Sequence, residues 1–225
     1  SNLIHSDSGE VRAIGVEDNN NQNGYWFAQL YRKFEKQRDT LTFFTGNAAD
    51  NETTDSCTGT NCYMYSTEDI SVPQNYTCNV PTLFISEKDI YIEPNIESGD
   101  GLSGCIFLAK NNIYIGAGEY LSDTKIKYDY LEGFFIADNQ IVFSLADQSQ
   151  MLRDGIEVYG GLVALGSDIS DGTSAISIQR NMRLFNQTNP TLVVTYDNKY
   201  ASLSYIFFGT SSQLYKQEVG FKTGD

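Results

Sequence analysis

The stretches Leu83-Phe-Ile-Ser-Glu-Lys-Asp-Ile90, Ile106-Phe-Leu-Ala-Lys-Asn-Asn-Ile113, Phe134-Phe-Ile-Ala-Asp-Asn-Gln-Ile141 and Leu162-Val-Ala-Leu-Gly-Ser-Asp-Ile169 share one layout: an apolar run, a polar hinge, and an isoleucine seven residues after the start. The starts lie 23, 28 and 28 residues apart. A repeat of about 20–30 residues built of short strands marks a solenoid, because one coil buries its inner face only when a neighbour stacks on it. After the isoleucines, Ile90-Tyr-Ile92, Ile113-Tyr-Ile115 and Ile141-Val-Phe143 read as further strands. Gly104, Gly133, Gly160 and Gly161 are placed at coil corners, where a tight bend favours a residue without Cβ. Asn111-Asn112 and Asp138-Asn139 fill equivalent turns.

Either side of the repeats the pattern changes. Trp26, Phe27, Leu30, Tyr31 and Phe34 recur at helical spacing, with Arg32, Lys33, Glu35, Lys36 and Arg38 on the other face, so residues 25–38 are expected to form a helix covering the open end of the solenoid. Leu41–Thr45 reads as a strand, and residues 46–80, rich in Asn, Asp, Thr, Ser and Gly, as a long excursion pinned by disulfides. Ile92–Gly104 and Gly116–Glu132 are expected to be irregular loops. Beyond them, Ile176–Phe185 reads as a strand pair, Thr191–Tyr196 as a strand, Tyr196–Tyr200 as a turn, and residues 203–208 with the tail as a strand cap that protects the terminal edge. The expected division is thus 1–80, an N-terminal cap and Cys-containing loop region, and 81–225, the solenoid. The fold class is all-β, a right-handed parallel β-helix of five to six coils.

The chain has 225 residues, 15 Tyr, 13 Phe, one Trp and a net charge of −14. Aromatic richness favours strands, and the acidity argues against a nucleic-acid partner, which needs clustered Lys and Arg. No stretch approaches the roughly 20 apolar residues of a membrane helix, so no membrane insertion by this fragment is expected. Its start at Ser1 without Met reads as a mature or excised piece. Cys57, Cys62, Cys78 and Cys105 read as two disulfides in an oxidising compartment, with three connectivities open; Cys57–Cys62 with Cys78–Cys105 is one that closes a tight loop and ties it to a coil. Asn51, Asn75 and Asn186 sit in N-x-S/T sequons.

Three stretches carry a resemblance: Asp154-Gly-Ile-Glu-Val-Tyr-Gly-Gly-Leu-Val-Ala164, Gln179-Arg-Asn-Met-Arg-Leu-Phe185, and Asn189-Pro-Thr-Leu-Val-Val-Thr-Tyr-Asp-Asn-Lys-Tyr200. Together they resemble uncharacterised bacterial cell-surface β-helix proteins, some of which accompany type IV pilus components. The resemblance covers about a third of the chain and implies a β-helix with a closing segment, an extracellular or cell-surface location, and no catalytic residues.

The residues themselves point the same way. His5 is the only histidine, which removes most His-based catalysis and His-rich metal sites. Glycosidase chemistry needs two carboxylates flanking one bond, but the acids, Asp123, Asp129, Glu132, Asp138, Asp147 and Asp154 among them, scatter over turns where Asp is favoured for backbone reasons. No enzyme is expected. Zinc fits the Cys-x4-Cys spacing poorly with the sole His at position 5, and calcium is the better-fitting ion, on Asp168 with Asp171 and Glu97 with Asp100, whose oxygens lie near turns. The expected function is an adhesive or structural module of a surface appendage or envelope assembly. Its loops at 46–80, 93–103 and 117–131 would display Tyr63, Tyr65, Tyr120, Tyr128 and Tyr130 to glycans or to other surface or pilus proteins. A self-assembling filament subunit and a polysaccharide-degrading β-helix enzyme are the alternatives.

Overall fold

A strand that is apolar at every position needs cover on both faces, and the repeats meet this demand with two sheets and a helix pair. The computed structural model describes residues 25–37, 42–44, 59–116, 128–143, 155–166, 174–179 and 190–209. These residues are mostly β, in parallel sheets. The apolar runs form one sheet of β1 (Thr42–Phe44), β2 (Cys62–Ser66), β5 (Pro81–Ser86), β8 (Gly104–Ala109), β10 (Tyr128–Ala137), β12 (Gly155–Ala164) and β14 (Leu192–Tyr196), in that order. The isoleucine strands β3 (Ile70–Val72), β6 (Ile90–Ile92), β9 (Ile113–Ile115), β11 (Ile141–Phe143) and β13 (Ile176–Ile178) form a second sheet, and β4 (Thr77–Cys78) pairs with β7 (Glu97–Ser98) in a third. Helices α1 (Tyr25–Glu35) and α2 (Lys199–Phe208) complete the described elements.

The chain passes repeatedly from the first sheet to the second, and equivalent residues fall in register. Met64, Phe84, Phe107, Phe135 and Leu162 occupy one inward row of the first sheet. The rings of Phe84, Phe107 and Phe135 stack at 4.9 and 5.0 Å, matching the 4.7–4.9 Å strand spacing. Opposite them, Ile70, Ile90, Ile113, Ile141 and Ile176 form a row in the second sheet. The polar hinge between rows is itself laddered: Asp89 Oδ1 accepts from the backbone N–H (2.8 Å) and side-chain amide (3.1 Å) of Asn112, and Asn112 Oδ1 accepts from Asn139 Nδ2 (3.0 Å) and Gln140 N (3.2 Å). These bonds supply partners for turn amides that no strand can reach.

Several expectations change. The stack begins one repeat earlier than the sequence suggested: Tyr63-Met-Tyr-Ser-Thr-Glu-Asp-Ile70 lies in register with Leu83–Ile90, so residues 62–78 form β2, β3 and β4 rather than part of a loop excursion over 46–80. Pairing of β2 with β5 crosses residue 80. In the fourth repeat Gly161, not Leu162, is the partner of Phe134, and Ile176 takes the place expected of Ile169, which lies outside the described residues. Glu97–Ser98 and Tyr128–Glu132, expected in the loops 93–103 and 117–131, are strand residues.

The helix over 25–38 forms, as Tyr25–Glu35, but it lies on the outer face of the first sheet instead of over its end. There Phe27, Leu30 and Phe34 pack with Tyr63, Leu83, Ile85, Ile106, Leu108, Phe134 and Ile136, the outward residues of the apolar runs. Residues 199–208, expected as turn and strand cap, form the second helix on that face. Tyr200, Leu203, Ser204, Phe207 and Phe208 are its buried side, at spacings of three and four. Nor are Gly104, Gly133, Gly160 and Gly161 corners; all lie within strands β8, β10 and β12. Gly160 has φ 143°, and a Cβ there would lie 1.9 Å from the Gly133 carbonyl oxygen and 3.0 Å from the Tyr200 ring. Gly104 and Gly160 thus form a floor that admits Tyr200, whose hydroxyl meets Ser98 Oγ at 3.1 Å.

The disulfide Cys78–Cys105 ties the third sheet to β8 across 27 residues of sequence, a constraint on the unfolded chain of about 3.5 kcal/mol by loop entropy. Cys62 is also disulfide-bonded; its expected partner Cys57 lies outside the described residues. Among the described residues no helix is long and apolar enough to cross a membrane.

Phe107 stacks on both sides, so Phe107→Ala leaves a cavity the neighbouring repeats cannot close. We expect a loss of about 3–5 kcal/mol in urea unfolding, read as a lower midpoint at unchanged slope; a loss under about 1 kcal/mol would contradict the continuous aromatic row.

Candidate binding face

The tyrosines expected to bind do not form one site. Tyr63 is only 4% exposed, because its strand position points under α1, where its ring meets Phe34 edge-on at 4.7 Å; it is a core residue, not an exposed anchor. Tyr65 is half-buried against Tyr31 and donates to Glu87. Tyr128 and Tyr130 lie on β10, three strands from β2 in the sheet order, about 14 Å away at ordinary strand spacing. Tyr120 lies outside the described residues.

Around Tyr130 the sheet carries a checkerboard of phenols and carboxylates. Tyr130 stands opposite Glu157, and Glu132 opposite Tyr159. Tyr130 donates to Glu97, Tyr159 donates to Glu157 (2.7 Å), and Tyr128 donates to the Pro190 carbonyl (3.1 Å). Glu132 Oε2 accepts from Ser98 N (2.9 Å) and lies 3.7 Å from Lys199 Nζ. The hydrogen bond to Glu97 pushes the Tyr130 phenol up to about 12, helped by burial and by the charges of Glu97 and Glu132. Burial pushes Tyr128 up, with Glu157 adding to it.

Of the expected calcium ligands, Glu97 is thus engaged by Tyr130, and Asp100 sits in the exposed turn that follows β7. Asp168 and Asp171 lie outside the described residues. Among the described residues no group of three His, Cys, Asp or Glu side chains is placed to hold a metal ion. Asn75, of the sequons, is exposed on a turn with φ 60°; Asn51 and Asn186 lie outside the described residues.

The second sheet holds a feature that the reading of loops passed over. Its strands alternate, so Ile90 and Ile92 point inward and Tyr91 outward, as do Ile113, Ile115 and Tyr114. The outward row runs Ser71, Tyr91, Tyr114, Val142, Ser177 in register. Tyr91 and Tyr114 stack at 5.0 Å with 19° between planes. Ser71, next in the row, has no ring, so the outer face of Tyr91, 39% exposed, looks over a position one strand wide and unfilled by its own row. Beside it runs the hinge ladder, where the Asp89 amide donates to Asp69 Oδ1 at 3.2 Å. Burial pushes both phenols up, and the carboxylates of Asp89 and Asp69 raise Tyr91 further. The alternation Ile-Tyr-Ile was the available signal: it fixes which side chain leaves the core.

Such a face offers an aromatic plane with carboxylate acceptors at its edge, suited to a ring that is apolar on its face and rich in hydroxyl donors at its rim. The chain matches no family model, no curated protein and no solved structure.

The Tyr130–Glu97 pair has a pH signature. A phenol raised above its unfolded value of about 10 contributes stability below that pH and loses it as pH rises through about 12. Ultraviolet titration should therefore show a phenol ionising near 12 that Glu97→Gln returns towards the ordinary value; an unchanged titration curve would contradict the pairing.

Proposed function

We propose that this is a non-enzymatic, extracellular adhesive module, framed by a right-handed parallel β-helix and binding glycan through its second sheet. The frame is supported by parallel, in-register sheets joined by hinges of equal length from Ser66 to Ile70, Ser86 to Ile90, Ala109 to Ile113 and Ala137 to Ile141. The right hand follows from the handedness of crossovers between parallel strands. Location outside the cell is supported by the Cys78–Cys105 disulfide, since such bonds persist in oxidising compartments, and by the resemblance of the segment around Gly160 and Gly161 to surface β-helix proteins.

The observation that carries the reading is the open face of Tyr91 above Ser71, beside Asp69 and Asp89. A pyranose laid against Tyr91 continues the existing two-ring stack by one strand spacing, while its hydroxyls donate to the two carboxylates. Rigid strands hold these groups, so little freedom is lost on binding.

A glycan array probed with the purified protein, followed by calorimetry on the best ligand, tests this. Tyr91→Ala should weaken binding about 2- to 12-fold, the worth of one ring contact, and Ser71→Tyr should block the site by filling the open position with its own ring. Absence of any glycan ligand, or equal binding by both variants, would overturn the proposal.

A further inference from the structure

The two edge strands of the second sheet, β3 and β13, differ in how well their inward residues are buried. At the N-terminal edge of the second sheet the inward residues Ile70 and Val72 of β3 are no more than 2% exposed. At the other end Leu192 of β14 and Ile176 of β13 are partly buried against the core, but further inward residues of both strands are exposed although their register partners are buried. Ile156 and Val158 are 0% exposed, whereas Val194, the partner of Val158, is 42% exposed, and Tyr196, the partner of Gly160, is 52% exposed. Likewise Phe143 is 0% exposed and its partner Ile178 is 36% exposed. Among the described residues β14 pairs with β12 alone and is the last strand of its sheet.

We infer that this end is an interface for a second copy of the chain, joined by antiparallel pairing of β14 with β14 of the partner across a twofold axis at Val194. The strand is suited to pairing with itself. Leu192-Val-Val-Thr-Tyr196 has no charge and no proline, and proteins ordinarily defend an exposed edge with just those residues. With Val194 on the axis, Leu192 faces the partner's Tyr196 and Val193 faces the partner's Thr195. All are apolar or β-branched cross-strand pairs of the favourable kind. The exposed Val194 and Tyr196 of each copy, with the partly buried Leu192, then meet across one continuous core. Because β14 meets β14, the contact is isologous and uses the same edge of both copies, so assembly stops at two. Each copy carries a net charge of −14, so added salt, by screening that repulsion, should tighten the dimer.

Sedimentation and light scattering of the full chain across concentration and salt provide the test. The expected mass is twice the 25.1 kDa of one chain, dissociating on dilution and more readily at low salt. Val194→Lys places two like charges on the axis and should give a monomer with an unchanged circular-dichroism spectrum. Val194→Cys should form a covalent dimer on mild oxidation, since residues facing each other across antiparallel strands lie within disulfide reach; Ser71→Cys, on the other sheet, should not. A monomer at every concentration overturns the inference. So do a Val194→Lys dimer, an uncrosslinked Val194→Cys variant, and filaments growing with concentration. A full-length monomer that dimerises only after removal of residues 210–225 would assign the covering role to the chain's own tail and overturn it equally.

Discussion

In-register stacking of like side chains on parallel strands is the constraint from which the rest follows. A Phe inside one repeat has Phe above and below it at about the strand spacing, so ring contact and backbone ladder are satisfied by the same translation. The isoleucine row opposite obeys the same step. Once that period is set, hinge length cannot vary, because one residue more or less would turn an inward isoleucine outward. The hinge ladder of Asp89, Asn112 and Gln140 is the polar counterpart: side chains in equivalent turns bond to one another because stacking brings them there.

The outward faces of the two sheets solve different problems. Apolar residues on the outside of the seven-stranded sheet require cover, and α1 and α2 supply it, with Tyr200 seated on glycines that leave it room. The outer face of the five-stranded sheet is mixed: its middle position runs through serine, tyrosine and valine along the register, with Val142 buried and Tyr91 exposed. Where that row is exposed, at Ser71 and Tyr91, rigid strands hold aromatic and carboxylate groups at a fixed spacing, the kind of surface on which recognition can be built with little ordering cost. The helices and the Cys78–Cys105 bridge hold that spacing from behind.

What the sequence disclosed depended on whether the apolar run was unmistakable. Leu83-Phe-Ile, Ile106-Phe-Leu and Phe134-Phe-Ile contain no polar atoms, and their strands and following isoleucines were legible. Tyr63-Met-Tyr has the same layout, but its polar neighbours and nearby cysteines read as loop; the Ser66-x-x-Asp69-Ile70 hinge, identical in form to Ser86-x-x-Asp89-Ile90, was the signal that identifies it. The glycine pair at 160 and 161 hid a shift of one position, because glycine gives no hydrophobic mark by which to align a repeat. Leu203–Phe208 is apolar at nearly every position, a run that suits a strand as well as a helix buried between a sheet and a neighbour. Only the spacing from Tyr200 to Leu203 to Phe207 favours the helix. The binding residues were harder still: Tyr63 and Tyr91 look alike in sequence, and only the facing of their strands separates core from surface.

The central claim, that Cys62–Cys78 belongs to the same in-register stack as the later repeats, is tested most directly by amide hydrogen exchange. The N–H groups of Ile70, Ile90, Ile113 and Ile141 donate to carbonyls of the next repeat at 3.0, 3.0, 2.9 and 2.9 Å. The account predicts that all four exchange slowly and lose protection together as the protein is destabilised. Rapid exchange at Ile70 beside slow exchange at Ile90 would place the start of the stack after residue 80 and contradict it.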